Sequence, residues 1–325
     1  TLAAIRGRAI DLVLAETPPL PLAVTAAAIA RRNGVPLVVY VADLWPDVAL
    51  AMGALREGWL ADRLRSLEAF VYRNAARITV PTEGLFAALT AHPAAGPGKV
   101  LLLPNGVDPD VFHPIPAADC EVERTALGLA GRALFLYAGT IGHAQALDTI
   151  VDTAVALRDR SDIVFAFLGD GPERGRLEGR TRALRLDNVV FAGAVPPEHV
   201  ARYLSLARAT IAPLRAVDLF AATRPAKILP SLACARPVIF CGRGEMAAII
   251  EREGCGVVVP PEDPARLADA VRRLADSDED ARAMGERGQT WALRDYDFRG
   301  LVRRWWDAVS EGLPRPVRDS GTRAS

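Results

Sequence analysis

Thr223-Arg224-Pro225-Ala226-Lys227 is the grouping in this chain most suited to chemistry. Thr223 is a good N-cap and Pro225 fits a first helical turn, so the spacing predicts a helix starting here. Arg224 and Lys227 would then stand beside its N-terminus. Basic side chains there oppose the helix macrodipole, and a helix that accepts this is suited to a negative ligand such as a diphosphate. The alternative is a solvated basic first turn. Gly139-Thr140-Ile141-Gly142 follows the apolar run LFLYA and precedes a helical pattern over 146–157. Glycines at such a turn let the backbone approach a phosphate, although turn geometry alone also calls for glycine. Leu168-Gly169-Asp170-Gly171 reads as a tight turn and helix cap. Gly193 and Val195 close another apolar run, where a base could stack and bond to backbone groups, since ligands of parallel sheets bind outside the carboxyl ends of strands. Asp43, in Asp43-Leu44-Trp45-Pro46-Asp47, ends the run PLVVYVA. Its carboxylate either takes a proton from a substrate hydroxyl or caps a helix, with Trp45 in the core.

The elements that must hold these residues alternate strand and helix throughout. The first part reads as strands IDLVLA, PLVVYVAD, ARITVP and VLLLPNG with helices between, Asn33-Gly34 ending one of them. These strands are nearly continuous apolar runs, as expected of a parallel sheet covered on both faces. Pro104-Asn105-Gly106-Val107-Asp108 is turn chemistry leading into a linker. A second α/β unit with five or six strands follows from about Gly131 to Gln289. Predicted domains are therefore 1–113 and 114–290, with a C-terminal helix at 293–312 carrying Trp305 and Trp306, and a disordered tail at 313–325. The stretch Leu55 to Ala76 places Leu60, Leu64, Leu67 and Val71 on one helical face, with Trp59 and Arg56, Arg63, Arg65 and Arg73 around it. Such a helix packs on its own sheet or rests on an anionic membrane surface.

The chain has 325 residues, 50% of them hydrophobic and 24% charged, which is globular composition with room for two domains. Basic and acidic residues balance at 39 each, so no global field favours nucleic acid. No apolar run reaches the ~18 residues of a membrane span. Cys120, Cys234, Cys241 and Cys255 form no CxxC pair, which fits free thiols in a reducing cytosol. His92, His113, His143 and His199 show no metal-ligand spacing.

Taken in order, DLWPD, PTEGLFAAL, LLPNGVDPDVFHP, YAGTIGHAQALDTIVDTA, FLGDGPERGRL, NVVFAGAVPPEHV, RPAKILPSLACARPVI and GCGVVVPPEDPARLADAV resemble the family-4 group of GT-B glycosyltransferases. The closest likeness is to the fucosamine-transferase-like group of bacterial surface-polysaccharide enzymes. The resemblance implies two Rossmann-like, doubly wound parallel domains facing across a cleft, with the C-terminal helix crossing back to the first. It implies transfer of a sugar, with retention, from a nucleoside-diphosphate donor, most simply UDP, to a saccharide or lipid-linked acceptor at the cytoplasmic face of the plasma membrane. No metal ion and no cofactor are implied. Gly139 to Gly142, Thr223, Arg224 and Lys227 would hold the diphosphate, residues near Gly193 and Val195 the base, and Asp43 the acceptor. Three departures stand against the pattern. Two glutamates expected eight apart are Ala222 and Pro230, and a proline inside a helix costs about 3 kcal/mol. The usual Arg and Lys after the glycine turn are Thr140 and Gln145. The first domain lacks expected strands and a glycine-rich loop, so the chain is expected to be N-terminally incomplete. Two rival readings follow: a nucleotide-sugar 2-epimerase, which needs carboxylates and histidines in the cleft and for which the sequence offers His143 and His199 but no convincing pair, and a degenerate transferase serving as a binding or scaffold subunit.

Overall fold

The computed structural model describes residues 10–311 and 313. Two compact units form, one comprising the chain to Pro104 with the segment from Leu301, the other running from Asn105 to Gly300.

In the first unit β1 (Val13–Thr17), β2 (Leu37–Val41), β3 (Arg77–Val80) and β4 (Val100–Leu102) form a parallel sheet in sequential order. The helix Leu20–Asn33 buries Leu20 and four alanines and stops at Gly34, whose left-handed conformation lets its N–H cap the last carbonyls. The helix Trp59–Asn74 divides its apolar residues differently from expectation. Ala61, Val71 and Tyr72 are buried and Leu64 packs against the core, whereas Trp59, Leu60 and Leu67 are exposed. Arg65 is held by a bidentate bond to Glu57, at 2.9 and 2.8 Å. From the C-terminal segment, the Trp305 indole donates to Thr79 Oγ1 in β3 at 2.9 Å, and Val309 is fully buried.

The second unit begins ahead of the expected boundary at 113/114, because Val107 is already part of its core. The Val107 N–H donates to the Tyr296 carbonyl, and the Phe298 N–H donates to that of Val107. This bridge breaks the expected helix 293–312 at Asp297, and two helices result, Asp278–Tyr296 and Phe298–Ser310. The Asp297 carboxylate accepts the Gly300 N–H, one of the free amides at the start of the second helix. The expected disordered tail lies outside the described residues apart from Leu313.

Six parallel strands make the second sheet: β5 (Ala133–Ala138), β6 (Ile163–Leu168), β7 (Val189–Gly193), β8 (Ala207–Pro213), β9 (Val238–Cys241) and β10 (Gly256–Val259). Their order is β10-β9-β8-β5-β6-β7, so the direction of winding reverses between β5 and β8. That reversal is the topological switch point, where helices diverge and leave a crevice at the carboxyl ends of the strands. All six residues of β6 are buried, consistent with helices on both faces. The four cysteines are free and buried.

The ends of β5 and β6 approach so closely that glycine is required. Gly169 has φ +138°, and a Cβ there would lie 2.1 Å from the Gly139 carbonyl oxygen. The Gly139 N–H in turn donates to the Leu168 carbonyl at 2.9 Å. A side chain at Gly169 would strain the backbone and force the two turns apart.

Candidate nucleotide site

A cavity of about 230 Å³ opens at the carboxyl ends of β5, β6 and β7, entirely within the second unit. Ala138 and Gly139 bound it from β5, Leu168 and Gly169 from β6, and Ala194 and Val195 from the loop after β7. Val200 and Leu204 of the helix Pro197–Leu206, Phe112, Lys227 and Pro230 complete the wall. Ten of these eleven residues are apolar or glycine; the exception is Lys227.

Lys227 lies just before the helix Ile228–Ala233, whose Ile228, Leu229, Leu232 and Ala233 are buried and fix its backbone. Its Nζ donates to the Tyr137 hydroxyl at 2.8 Å and lies 4.3 Å from the centre of that ring. The Tyr137 hydroxyl itself donates to the Thr140 carbonyl. No carboxylate lines the cavity. Burial without a counter-ion pushes the ammonium down to about 8, because desolvation penalises the charged form. The site is therefore a mostly apolar recess with a destabilised positive charge at one end, arranged to take an anion attached to an apolar or aromatic body.

Of the residues given a nucleotide-binding role from the sequence, Gly139, Val195 and Lys227 meet in this cavity; Leu168 and Gly169, read there as a turn, and Pro230, read as a departure, also line it. Thr140 contributes its carbonyl to Tyr137. Ile141 is fully buried in the core, with its N–H given to the Asp170 carbonyl and its own carbonyl accepting the Glu173 N–H. The amides of Gly139 and Ile141 are thus committed within the fold rather than offered to a phosphate. Gly142 is buried, and a short 3-10 turn, His143–Gln145, separates it from the helix Asp148–Ala156, which starts later than expected. Gly193 uses its carbonyl to accept the Gly169 N–H at 2.8 Å.

The helix expected at Thr223 begins instead at Ile228; Thr223 is not its N-cap but ends the 3-10 turn Asp218–Ala222, its N–H donating to the Phe220 carbonyl. Arg224 to Lys227 form a non-helical approach because Arg224 is tied elsewhere: its guanidinium donates to Tyr296 Oη at 2.8 Å and pairs with Glu245. Arg224 is a neutralised strut between the chain ahead of this helix and the helix Glu245–Glu253. The later start also removes the difficulty with Pro230. It sits in the first turn, where its missing N–H would have had no helical partner.

Asp43 lies in the first unit, just after β2 and outside any helix, and the helix Asp47–Ala51 has no side-chain cap. Burial raises its pKa, so its carboxylate binds a proton more readily than an exposed one. His143 pairs with Glu173 at 3.2 Å, His199 is exposed, and neither lines the cavity, which removes the basis for the epimerase reading. Sequence reading missed Tyr137 and Phe112. The signal for Tyr137 was its place at the end of a strand at the switch point, two residues before the glycine turn.

The unpaired ammonium predicts a stability effect of definite sign. Its folded pKa lies below the ordinary lysine value, so the unfolded chain binds more protons between about pH 8 and 10.4. Wild-type stability therefore rises with pH through that window. Replacing Lys227→Met should raise the unfolding free energy by about 1–2 kcal/mol at pH 7, and the gain should shrink above pH 8. Denaturant unfolding of both proteins at pH 7 and 9.5 measures this.

Comparison with known proteins agrees with the two-unit architecture. Residues 132–277 match the glycosyl transferases group 1 family, and residues 1–106 match the glycosyl transferase 4-like domain. The probable glycosyltransferase WbjE of Pseudomonas aeruginosa is 26% identical over 282 residues, covering 84% of this chain and 68% of that protein. The alpha-D-kanosaminyltransferase of Streptomyces kanamyceticus is 32% identical over 188 residues, covering 56% of this chain and 47% of the relative. This chain thus spans about half to two thirds of the length of these relatives. Among solved structures, HepE of Anabaena in complex with UDP-glucose shares the fold with a TM-score of 0.76 at 18% identity, over 93% of this chain and 79% of that one. With these matches and its two parallel Rossmann-like sheets, the chain has a GT-B-type fold, with a glycosyl transferases group 1 domain over residues 132–277 and a glycosyl transferase 4-like domain over residues 1–106.

Proposed function

We propose that this protein transfers a sugar from a nucleoside-diphosphate donor, with UDP as the nucleotide, to a saccharide or lipid-linked acceptor. The observation that carries the reading is the Lys227 ammonium, buried without a carboxylate partner at the switch point of the second sheet. A diphosphate supplies the charge this group lacks. As the glycosidic bond breaks, negative charge grows on the diphosphate, and a fixed, desolvated cation stabilises that state more than the ground state. Apolar walls from Phe112, Val195 and Leu204 suit a flat base. Support for UDP comes from the fold neighbour, whose structure holds UDP-glucose.

In this reading Lys227 meets the diphosphate. Gly139 leaves room for its side chain: a Cβ at Gly139 would fall 3.2 Å from Lys227 Cε. Arg224 acts at one remove, through Glu245 and Tyr296. Asp43 receives or orients the acceptor hydroxyl, a role its raised proton affinity suits. Retention of configuration and independence from metal ions belong to the same proposal, on the strength of the family resemblance.

We place the reaction at the inner face of the plasma membrane. Among the described residues no helix is long and apolar enough to cross a membrane. The helix Trp59–Asn74 instead exposes Trp59 at 77%, with Leu60, Leu67 and Arg63 also exposed and Arg56 exposed in the loop just ahead of it. Apolar and basic groups together suit an anionic lipid surface. Co-sedimentation with phosphatidylglycerol vesicles should fall several-fold in Trp59→Ser; equal sedimentation of both proteins contradicts this placement.

Calorimetric titration of UDP, GDP and ADP tests the donor assignment. UDP should bind with micromolar affinity, at least about tenfold more weakly in Lys227→Ala and with a smaller loss in Arg224→Ala. UDP affinity should also fall as pH rises above 8, where the free ammonium loses its proton. Unchanged binding in Lys227→Ala would place the diphosphate elsewhere.

A further inference from the structure

Of the 39 basic residues, only Lys99 and Lys227 are lysine. Arginine serves everywhere else, including all but one of the ion pairs described above. A lysine in the cavity of such a chain marks a place where a guanidinium does not serve. An ammonium is compact and its proton is movable, whereas arginine is larger and permanently charged. The surroundings of Lys227 match that distinction. A Cβ on Gly139 would lie 3.3 Å from Lys227 Nζ and 3.6 Å from Tyr137 Oη, so ammonium, hydroxyl and glycine backbone crowd one point.

We propose that Tyr137 is the positioning residue of the anion site: its buried hydroxyl holds the Lys227 ammonium against Gly139 and anchors the glycine turn through Thr140. The inference rests on the reading of Lys227 as the group that meets the diphosphate. Its geometry is independent of that reading. Tyr137 is fully buried at the end of β5, yet its hydroxyl is used twice, donating to the Thr140 carbonyl and accepting from Lys227 Nζ. Because its single proton goes to Thr140, the oxygen is free to face the ammonium with lone pairs alone. The ring face adds an attraction for the cation at 4.3 Å. β6, the β7 loop and the helix Pro197–Leu206 bring only apolar side chains and glycine to this cavity, so Tyr137 is the titratable side chain recorded against the ammonium among the described residues.

One hydroxyl therefore does two things that a core tyrosine need not do. It keeps the ammonium charged in a poor solvent, by giving the charged form a hydrogen bond the neutral form does not need. It also links the strand-end turn to the segment after β8 across the switch point, so the turn and the cation keep one spacing.

The test uses lysine labelled with 15N at Nζ in the full chain. Two side-chain signals arise, and Lys99, which donates to the Arg73 carbonyl in the other unit, is the internal control. Tyr137→Phe keeps the ring and removes the hydroxyl. In the nucleotide-free variant the Lys227 midpoint should move down by at least about half a pH unit while Lys99 stays in place. UDP affinity at pH 7.5 should fall about tenfold, uridine binding should not change, and in Lys227→Ala the second substitution should add nothing. A Lys227 midpoint unmoved by Tyr137→Phe overturns the inference, even if the variant is less stable. That outcome, with UDP binding still dependent on Lys227, defeats this inference alone; UDP binding indifferent to Lys227→Ala defeats the reading beneath it. Should Tyr137→Phe fail to fold, 13Cζ-tyrosine in the unaltered chain gives the same answer: the Tyr137 signal must titrate with the Lys227 midpoint, and a signal flat through that midpoint contradicts the proposal.

Discussion

The desolvation of one ammonium group is the constraint on which the candidate site depends. Taking a charge out of water without a partner is costly, and Lys227 remains where it is only because the chain around it is over-determined. The helix Ile228–Ala233 is sunk in the core and fixes the backbone. Tyr137 meets the head group, and Gly139 leaves the space the side chain needs. The β5 and β6 ends are then locked by the approach of Gly169 to the Gly139 carbonyl, which no larger residue permits. A stored cost of this kind becomes useful when a ligand relieves it: an arriving anion supplies the missing charge, and the apolar walls hold off competing water.

This arrangement separates two roles that a reading of Arg224 and Lys227 as a pair had merged. Both lie within five residues and both are basic, but their partners differ in kind. Arg224 is neutralised by Glu245 and braced by Tyr296, so it shapes the segment that delivers Lys227. Lys227 has a hydroxyl and an aromatic face but no counter-charge. Spacing along the chain could not reveal this, because Glu245 and Tyr296 come from elements well downstream that only the fold brings close.

The architecture itself was legible. Near-continuous apolar runs separated by helical periods signalled parallel sheets covered on both faces, and among the described residues the sheets have four strands, close to the expected segments, and six, within the expected five or six. The site was legible only in part. Gly139, Val195 and Lys227 converge because all lie at the carboxyl ends of strands or at the segment facing them, as the general rule for open α/β sheets requires. Thr223 failed as a cap because Thr-x-Pro also describes an extended approach, and the tie from Arg224 to Glu245 selects that form. Ile141 and the Gly139 amide were lost to the phosphate reading because the β6 turn already uses those N–H groups. Pro230, which looked like damage inside a helix, lies in a first turn and on the cavity wall. Tyr137 was overlooked because a tyrosine in an apolar run reads as core, and its hydroxyl becomes informative only when Lys227 is seen above it.

A crystal structure of this chain grown with UDP tests the central claim most directly. The account predicts a phosphate oxygen within about 3 Å of Lys227 Nζ, beside Gly139, with the base in the apolar recess near Val195. A nucleotide bound away from this cavity, with Lys227 still facing only Tyr137, would contradict it.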